Sequence, residues 1–209
     1  MIAKTKSILS VQRLELSKLR DAGLYTREHE VRDGRMWDVI SGAPMSTEFA
    51  ISRFLVPHLA SYRGWAVFCD CDFLWRADIA ELFTLARPEY AVMVVKHFYN
   101  PKTALKMDAQ INQNYPRKNW SSLMLFNCEH PAHRCLSPEM VNLMTGRELH
   151  SFCWLSDNEI GQLPFEWNWL DLEPKAVHMT DGTPDMAGHE NTAYADEWRG
   201  HLPPGGLGL

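Results

Sequence analysis

The sequence predicts an α/β domain with a mostly parallel central sheet. Three apolar runs of strand length, residues 65–69, 90–95 and 122–126, predict its buried strands. Segments with helical patterns lie between these runs, and strands that alternate with helices favour a parallel sheet. A chain of 209 residues that is 45% hydrophobic can bury one sizeable core, so the composition is consistent with this class.

Turn and helix signals predict the local structure of the first sixty residues. Residues 11–19 predict a short strand-like or mixed segment, and two turns are predicted at residues 32–35 and 41–44, where glycine and proline occur. Ser46 or Thr47 is the predicted N-cap of a helix. The apolar face of that helix would contain Phe49, Phe54, Leu55 and Leu59.

The rest of the chain continues the alternation. We predict short helices over residues 78–83 and 138–149 and a late strand or loop over 175–178. Residues 100–118 are polar and predict a long connection, which in a compact domain is often functional. The predicted domain spans residues 1–199, and residues 200–209, which contain Pro-Pro-Gly-Gly, predict a frayed tail.

Charge and cysteine content exclude several classes of protein. The net charge of −5 leaves no broad basic face, so a nucleic-acid partner is not expected. No stretch approaches the roughly 18 apolar residues of a membrane span, so we expect no integral membrane segment. The start lacks the apolar core of a signal peptide, and the five cysteines contain no C-x-x-C pair. Reduced thiols and a cytoplasmic location are therefore expected.

The most informative stretch is 66–72, Ala-Val-Phe-Cys-Asp-Cys-Asp, where an apolar run ends in two carboxylates. Side chains two residues apart in an extended chain point the same way, so Asp70 and Asp72 can face one site at the end of a strand. Open α/β sheets bind ligands at this end. Two adjacent carboxylates repel each other, and a divalent cation is the simplest partner that makes the pair favourable.

Several further motifs accompany this pair in a fixed order. A helical stretch at 46–57 contains Arg53, and Asp78-Ile79-x-Glu81-Leu82-Phe83 follows the carboxylates. Later come 119–122 (Asn-Trp-Ser-Ser), Asp157-Asn158-Glu159 with a downstream Leu-Pro and Asn, and His178 with Gly182. This series resembles the A-type-fold nucleotide-sugar glycosyltransferases, in particular bacterial relatives of the glycogenin and lipopolysaccharide galactosyltransferase group. The resemblance covers roughly residues 45 to 185.

The resemblance implies a fold, a reaction and a set of site residues. The fold is one Rossmann-like domain whose first strand is missing or shortened, and the activity is metal-dependent transfer of a sugar from a nucleoside-diphosphate donor, with UDP expected, to a carbohydrate or glycoconjugate acceptor. Mn²⁺ or Mg²⁺ would be held by Asp70, Asp72 and His178. Catalytic roles fall on Asp157 and Asn158. Donor-binding roles fall on Arg53, Asp70, Lys118, Ser121, Ser122 and Gly182.

Each of these residues also has an ordinary structural interpretation. Arg53 can pair with a carboxylate such as Asp78, Asp157 can cap a helix, and Ser121 and Ser122 can begin a strand. His189 is a rival to His178 as the metal ligand. The late tryptophans, at 120, 154, 167 and 169, can stack on a sugar acceptor or belong to the core.

Two other functions compete with the transferase. The shortened start suggests a truncated relative that binds a nucleotide sugar without turnover. A phosphohydrolase of the haloacid dehalogenase type also places D-x-D after a strand, but Leu74 stands where that motif needs Thr or Val. The cysteines and histidines between Cys128 and Cys135 allow a zinc site, although their spacing matches no common closed site.

Overall fold

The computed structural model describes residues 10–45, 47, 49–97, 117–168 and 174–202. The strands are β1 (His29–Arg32), β2 (Arg35–Asp38), β3 (Ala43–Pro44), β4 (Trp65–Cys69), β5 (Phe73–Trp75), β6 (Val92–Val94), β7 (Leu123–Asn127), β8 (Ile160–Gln162) and β9 (Ala176–His178). The α-helices are α1 (Leu16–Asp21), α2 (Val56–Leu59), α3 (Ala80–Thr84), α4 (Pro138–Leu143), α5 (Gly146–His150) and α6 (Ala195–Gly200). Short 3-10 helices add Ser52–Leu55, Pro131–Cys135, Asp157–Glu159 and Phe165–Trp167.

The chain is a mixed α/β protein and divides into two compact units. The larger unit contains residues 10–68 and 86–163, and the smaller contains 69–85 and 164 onwards. The main sheet has the order β4-β7-β6-β8, and the larger unit also has a three-stranded sheet of order β1-β2-β3. In the smaller unit β5 pairs with β9. Its apolar cluster joins Leu74, Val177, Met179 and Trp198.

The prediction of a mostly parallel central sheet needs correction, because the sheet is mixed. Strand β8 runs parallel to β6, but β7 runs antiparallel to it. An apolar run that is buried on both faces looks the same in either direction, so its residues do not encode the direction. Every residue of β6 and β7 is buried, as predicted, whereas β4 is only half-buried. Within the described residues β4 lies at an edge of this sheet, which explains its greater exposure.

Several helix boundaries differ from the sequence-based expectation. Residues 11–19 were expected to be strand-like, but α1 begins at Leu16. The helix predicted over 138–149 is broken: α4 ends before Met144, and Thr145 caps α5 through a reciprocal capping box with Glu148. The predicted cap Ser46, most of the polar connection at 100–118, and Trp169 lie outside the described residues. Within the described ranges, no helix has both the length and the apolar character needed to cross a bilayer.

A buried histidine in the larger unit makes stability depend on pH. His133 is fully buried, its Nε2 lies 2.7 Å from the carbonyl oxygen of Ala91, and burial lowers the pKa of its imidazole to about 4. The pKa of this imidazole is 6.5 in the unfolded chain. At pH values between about 4 and 6.5, His133 therefore binds a proton in the unfolded chain but not in the folded chain. The stability contributed by neutral His133 is therefore complete above pH 6.5 and falls as the pH decreases towards 4.

We expect His133 to lower the free energy of unfolding by about 2 kcal/mol between pH 7.5 and pH 5. Urea denaturation of the native chain and of His133→Gln at both pH values measures this contribution as the difference between their pH dependences. The variant starts from a lower stability but should lose less on acidification. Equal losses in the two proteins would show that His133 does not account for the acid sensitivity.

Candidate metal centre

The two aspartates of the D-x-D motif bracket the turn between two strands. Strand β4 ends at Cys69, Asp70 follows it directly, and Cys71 and Asp72 form the turn that leads into β5. Both aspartates are half-buried. The apolar run therefore stops where the sequence predicted, and the carboxylates lie at the end of β4.

His178 reaches these carboxylates through strand pairing. Strands β5 and β9 are antiparallel, with Phe73 opposite His178, and the backbone N–H of Met179 donates to the carbonyl of Asp72 at 3.2 Å. The imidazole stacks on the Phe73 ring with centroids 4.6 Å apart and planes inclined by 17°. This register brings the last residue of β9 beside the residue that precedes β5, so the pairing fixes both position and orientation of the imidazole.

The three side chains together form a compact group of ligand atoms. His178 Nε2 lies 3.3 Å from Asp72 Oδ1 and 3.9 Å from Asp70 Oδ2, and the ligand atoms of all three lie within 4.8 Å of one another. Ligands about 2.1 Å from a metal are themselves separated by about 3 to 4 Å. The spacing therefore suits a bound divalent cation.

The chemistry of the donor set also fits a cation. Asp72 Oδ1 is buried and accepts no hydrogen bond from any described residue. His178 Nε2 lies 3.3 Å from this oxygen without forming a hydrogen bond, and a buried acceptor that lacks a hydrogen bond costs about 1–3 kcal/mol, which a cation would offset. Two carboxylate oxygens and one imidazole nitrogen suit Mn²⁺, and Mg²⁺ less well because it prefers oxygen alone.

The neighbouring thiols do not change this donor set. Burial raises the pKa of the Cys69 thiol to about 12. Burial also raises the pKa of Cys71, and the negative charges of Asp72 and Asp70 raise it further. Neither thiol belongs to the group of side chains with metal-binding spacing. The site therefore presents oxygen and nitrogen.

Gly182 and the rival histidine His189 lie together after the strand that carries His178. Gly182 has φ of +145°, and a Cβ built on it would lie 2.7 Å from the His189 ring. Any larger residue would therefore be strained and would clash. Within the described chain, the group of metal-ligating side chains contains His178 and not His189. The predicted donor-binding role of Gly182 stays a prediction.

Three predicted donor-binding residues are buried in the larger unit. Arg53, Lys118 and Ser121 are less than one-tenth exposed, and Ser122 is half-buried. Arg53 Nη1 donates to the Ser121 carbonyl at 2.8 Å, and its guanidinium lies 4.9 Å from the centroid of the Phe68 ring. Ser121 Oγ lies 2.7 Å from Nδ1 of His150, a residue that no sequence signal indicated.

The predicted catalytic pair lies in the larger unit on an exposed 3-10 helix. Asp157 and Asn158 are both exposed, and Asp157 Oδ1 accepts hydrogen bonds from Arg117 Nε at 3.1 Å and Nη2 at 2.6 Å. Arg117 Nη1 also donates to the carbonyls of Ser151, Phe152 and Leu155. The helix is capped by Ser156, with Glu159, rather than by Asp157. Asp157 therefore already has a cationic partner.

The alternative zinc site receives no support in the described chain. Among its histidines, cysteines and carboxylates, the group with metal-binding spacing is Asp70, Asp72 and His178. His133 instead bonds to the Ala91 carbonyl, and burial raises the pKa of Cys128 to about 12.

One of the late tryptophans can be placed. Trp167 is fully buried, which favours a role in the core over a role in an acceptor-binding surface for this residue.

The structure defines a mixed α/β protein with a cluster of two aspartates and one histidine. The aspartates lie between β4 and β5, and the histidine is the last residue of β9. The chain belongs to the family of Protein CDI of Arabidopsis thaliana. It is 46% identical to that protein over an alignment of 209 positions, which covers 94% of this chain and 76% of the relative. No family model matches the chain, and no solved structure matches it.

Proposed function

We propose that this protein is a metal-dependent glycosyltransferase of the D-x-D type, which moves a sugar from a nucleoside-diphosphate donor to a carbohydrate or glycoconjugate acceptor. The supporting observation is the cluster of Asp70, Asp72 and His178. His178 is distant in the sequence from the two aspartates, and the resemblance assigns all three side chains to one cation. UDP is the expected nucleotide, and a Rossmann-like domain with a shortened first strand is the expected fold.

In the proposed mechanism the metal ligands, the buried cations and the polar residues have separate roles. Asp70, Asp72 and His178 would hold Mn²⁺ or Mg²⁺, which supplies positive charge against the negative charge that develops on the leaving diphosphate. Arg53 and Lys118 are buried cations of the kind that binds phosphate oxygens, and Arg53 can do so with a planar pair of donors. Ser121, Ser122 and Gly182 would contact the donor, and Asp157 and Asn158 would contact the sugar.

A calorimetric titration with UDP, with and without Mn²⁺, tests binding, and hydrolysis of UDP-, GDP- and CDP-sugars tests turnover. We expect UDP to bind only in the presence of the metal, and EDTA to abolish both binding and hydrolysis. If UDP binds equally well in EDTA, the metal-dependent proposal is wrong. If an aspartyl-phosphate can be trapped on Asp70, the protein is a phosphohydrolase instead.

One observation favours the second candidate, a relative that binds nucleotide sugars without turnover. Asp157 Oδ1 already accepts two hydrogen bonds from Arg117, so a role of Asp157 at the sugar would have to compete with this ion pair. This candidate predicts metal-dependent UDP binding without product from any donor. The same two experiments therefore distinguish it from the transferase.

A cytoplasmic location is part of the same proposal. All five cysteines are free thiols, and three of them, Cys71, Cys135 and Cys153, are exposed. Exposed thiols persist in a reducing compartment. Modification of the purified protein with a thiol reagent under native conditions should label these three positions before Cys69 and Cys128.

A further inference from the structure

Strand β1 presents an exposed edge in the three-stranded sheet. The order of this sheet is β1-β2-β3, so among the described strands β1 pairs with β2 alone. All four residues of β1 are exposed, and Val31 retains 71% of its accessible surface. An exposed edge of this kind is a template for pairing with another strand.

Strands β1 and β2 form a hairpin, and its register shows which backbone groups of β1 point away from β2. Asp33 and Gly34 form its two-residue turn, with φ of 52° and 74°, so the flanking residues Arg32 and Arg35 form a hydrogen-bonded pair. Hydrogen-bonded and non-bonded pairs alternate along antiparallel strands. The Val39 N–H bond to the Glu28 carbonyl agrees with this alternation. The N–H and C=O of Val31 therefore point away from β2, towards the open edge.

The charges on β1 are complementary to those of a second copy. The sequence around Val31 is Glu30-Val31-Arg32. Within one chain Arg32 Nε donates to Glu30 Oε2 at 2.8 Å, so both charges lie on one face of β1 and pairing with a second copy would share or exchange this ion pair. If two such strands pair antiparallel about Val31, each Glu30 faces Arg32 of the other copy, and the two Val31 residues exchange both backbone hydrogen bonds. Opposite charges that face each other across strands stabilise the pairing, whereas like charges oppose it.

We propose that the outer edge of β1 binds the same edge of a second copy of this chain, with two-fold symmetry centred on Val31. Charged residues commonly prevent edge pairing. Here the order of the charges makes them favourable for one register with an identical partner. The contact involves few residues, and stable interfaces bury about 1,600 Å² in total, so the dimer is weak and depends on concentration.

Sedimentation velocity between about 1 µM and about 1 mM tests this proposal. The native chain should show a reversible shift from monomer to dimer that weakens at high salt. Glu30→Arg makes two arginines face each other across the two strands, and Arg32→Glu makes two glutamates do so. Each single variant should dimerise at least about tenfold more weakly. An equimolar mixture of the two should recover dimerisation, because all the facing charges are again opposite.

Two further variants test whether the dimer forms through the outer edge of β1. Val31→Pro removes an outward N–H without touching the pairing with β2, and it should also abolish the dimer. Glu89→Arg makes the same charge change at an exposed position outside β1 and should leave dimerisation unchanged. A native chain that stays monomeric throughout would overturn the proposal. So would a dimer that persists in both charge variants, or a mixture that fails to recover it while both variants keep the native circular dichroism spectrum.

Discussion

Under the proposed function, the Asp72→Asn variant is expected to lose Mn²⁺ binding and at least about a hundredfold of donor turnover. Asparagine keeps the size of the side chain but removes the charge from the ligand atom that accepts no hydrogen bond in the described structure. The remaining ligands, Asp70 and His178, would then hold a cation with one carboxylate only. Isothermal titration with Mn²⁺ and assays of UDP-sugar hydrolysis measure the two losses.

Thermal unfolding provides a readout of the same variant that does not depend on activity. A ligand that binds only the folded state raises stability, so added Mn²⁺ should raise the Tm of the native chain and leave Asp72→Asn unchanged. Without metal, the variant should be at least as stable as the native chain, because it removes the repulsion between two adjacent carboxylates.

Asp181→Asn is the matched control. Asp181 is exposed, lies three residues after His178 in the sequence, and does not belong to the cluster. It should keep both Mn²⁺ binding and the Mn²⁺-dependent rise in Tm. A native Mn²⁺ affinity in Asp72→Asn would contradict the assignment of the site. Equal losses in Asp72→Asn and Asp181→Asn would indicate a nonspecific effect of negative charge.

The second large effect is expected at Arg27, which holds parts of the larger unit together. Arg27 is 3% exposed, and it makes a two-pronged ion pair with Asp38, with Nε 3.0 Å from Oδ1. Its Nη1 donates to the carbonyls of Val141, Asn142 and Met144 at the end of α4. Burial raises the pKa of Asp38, but hydrogen bonds from Arg27 and Ser41 outweigh this and hold the pKa below its usual range.

Arg27→Met should reduce the free energy of unfolding by about 3–5 kcal/mol, because it leaves a buried carboxylate without its cation and three carbonyls without a donor. Urea denaturation at pH 7 measures the loss. Arg147→Met, at an exposed position, should change the stability by less than about 0.5 kcal/mol. The double variant Arg27→Met/Asp38→Leu should lose less than the sum of the two single variants, since no unpaired charge remains. A loss below about 1 kcal/mol for Arg27→Met would contradict this role.

Nothing in the sequence singled out Arg27 or His150, and the cause is the same for both. Each side chain bonds to groups from other segments, the α4 carbonyls for Arg27 and Ser121 for His150. Arginine and histidine are ordinary surface residues in most sequences, so nothing local marks those that become buried. The break at Thr145 differs, because its capping box with Glu148 was a local signal that could have been used.

Local sequence patterns were enough to predict strands β4, β6 and β7, the turn at Asp33-Gly34, and two aspartates at the end of an apolar run. These features depend on neighbouring residues, whose hydrophobicity and backbone preferences act locally. The direction of β7, the half-exposed edge position of β4, and the pairing of β5 with β9 that brings His178 to Asp72 are visible only in the folded chain. Strand pairing joins segments that are distant in the chain, and its register depends on the packing of the whole unit.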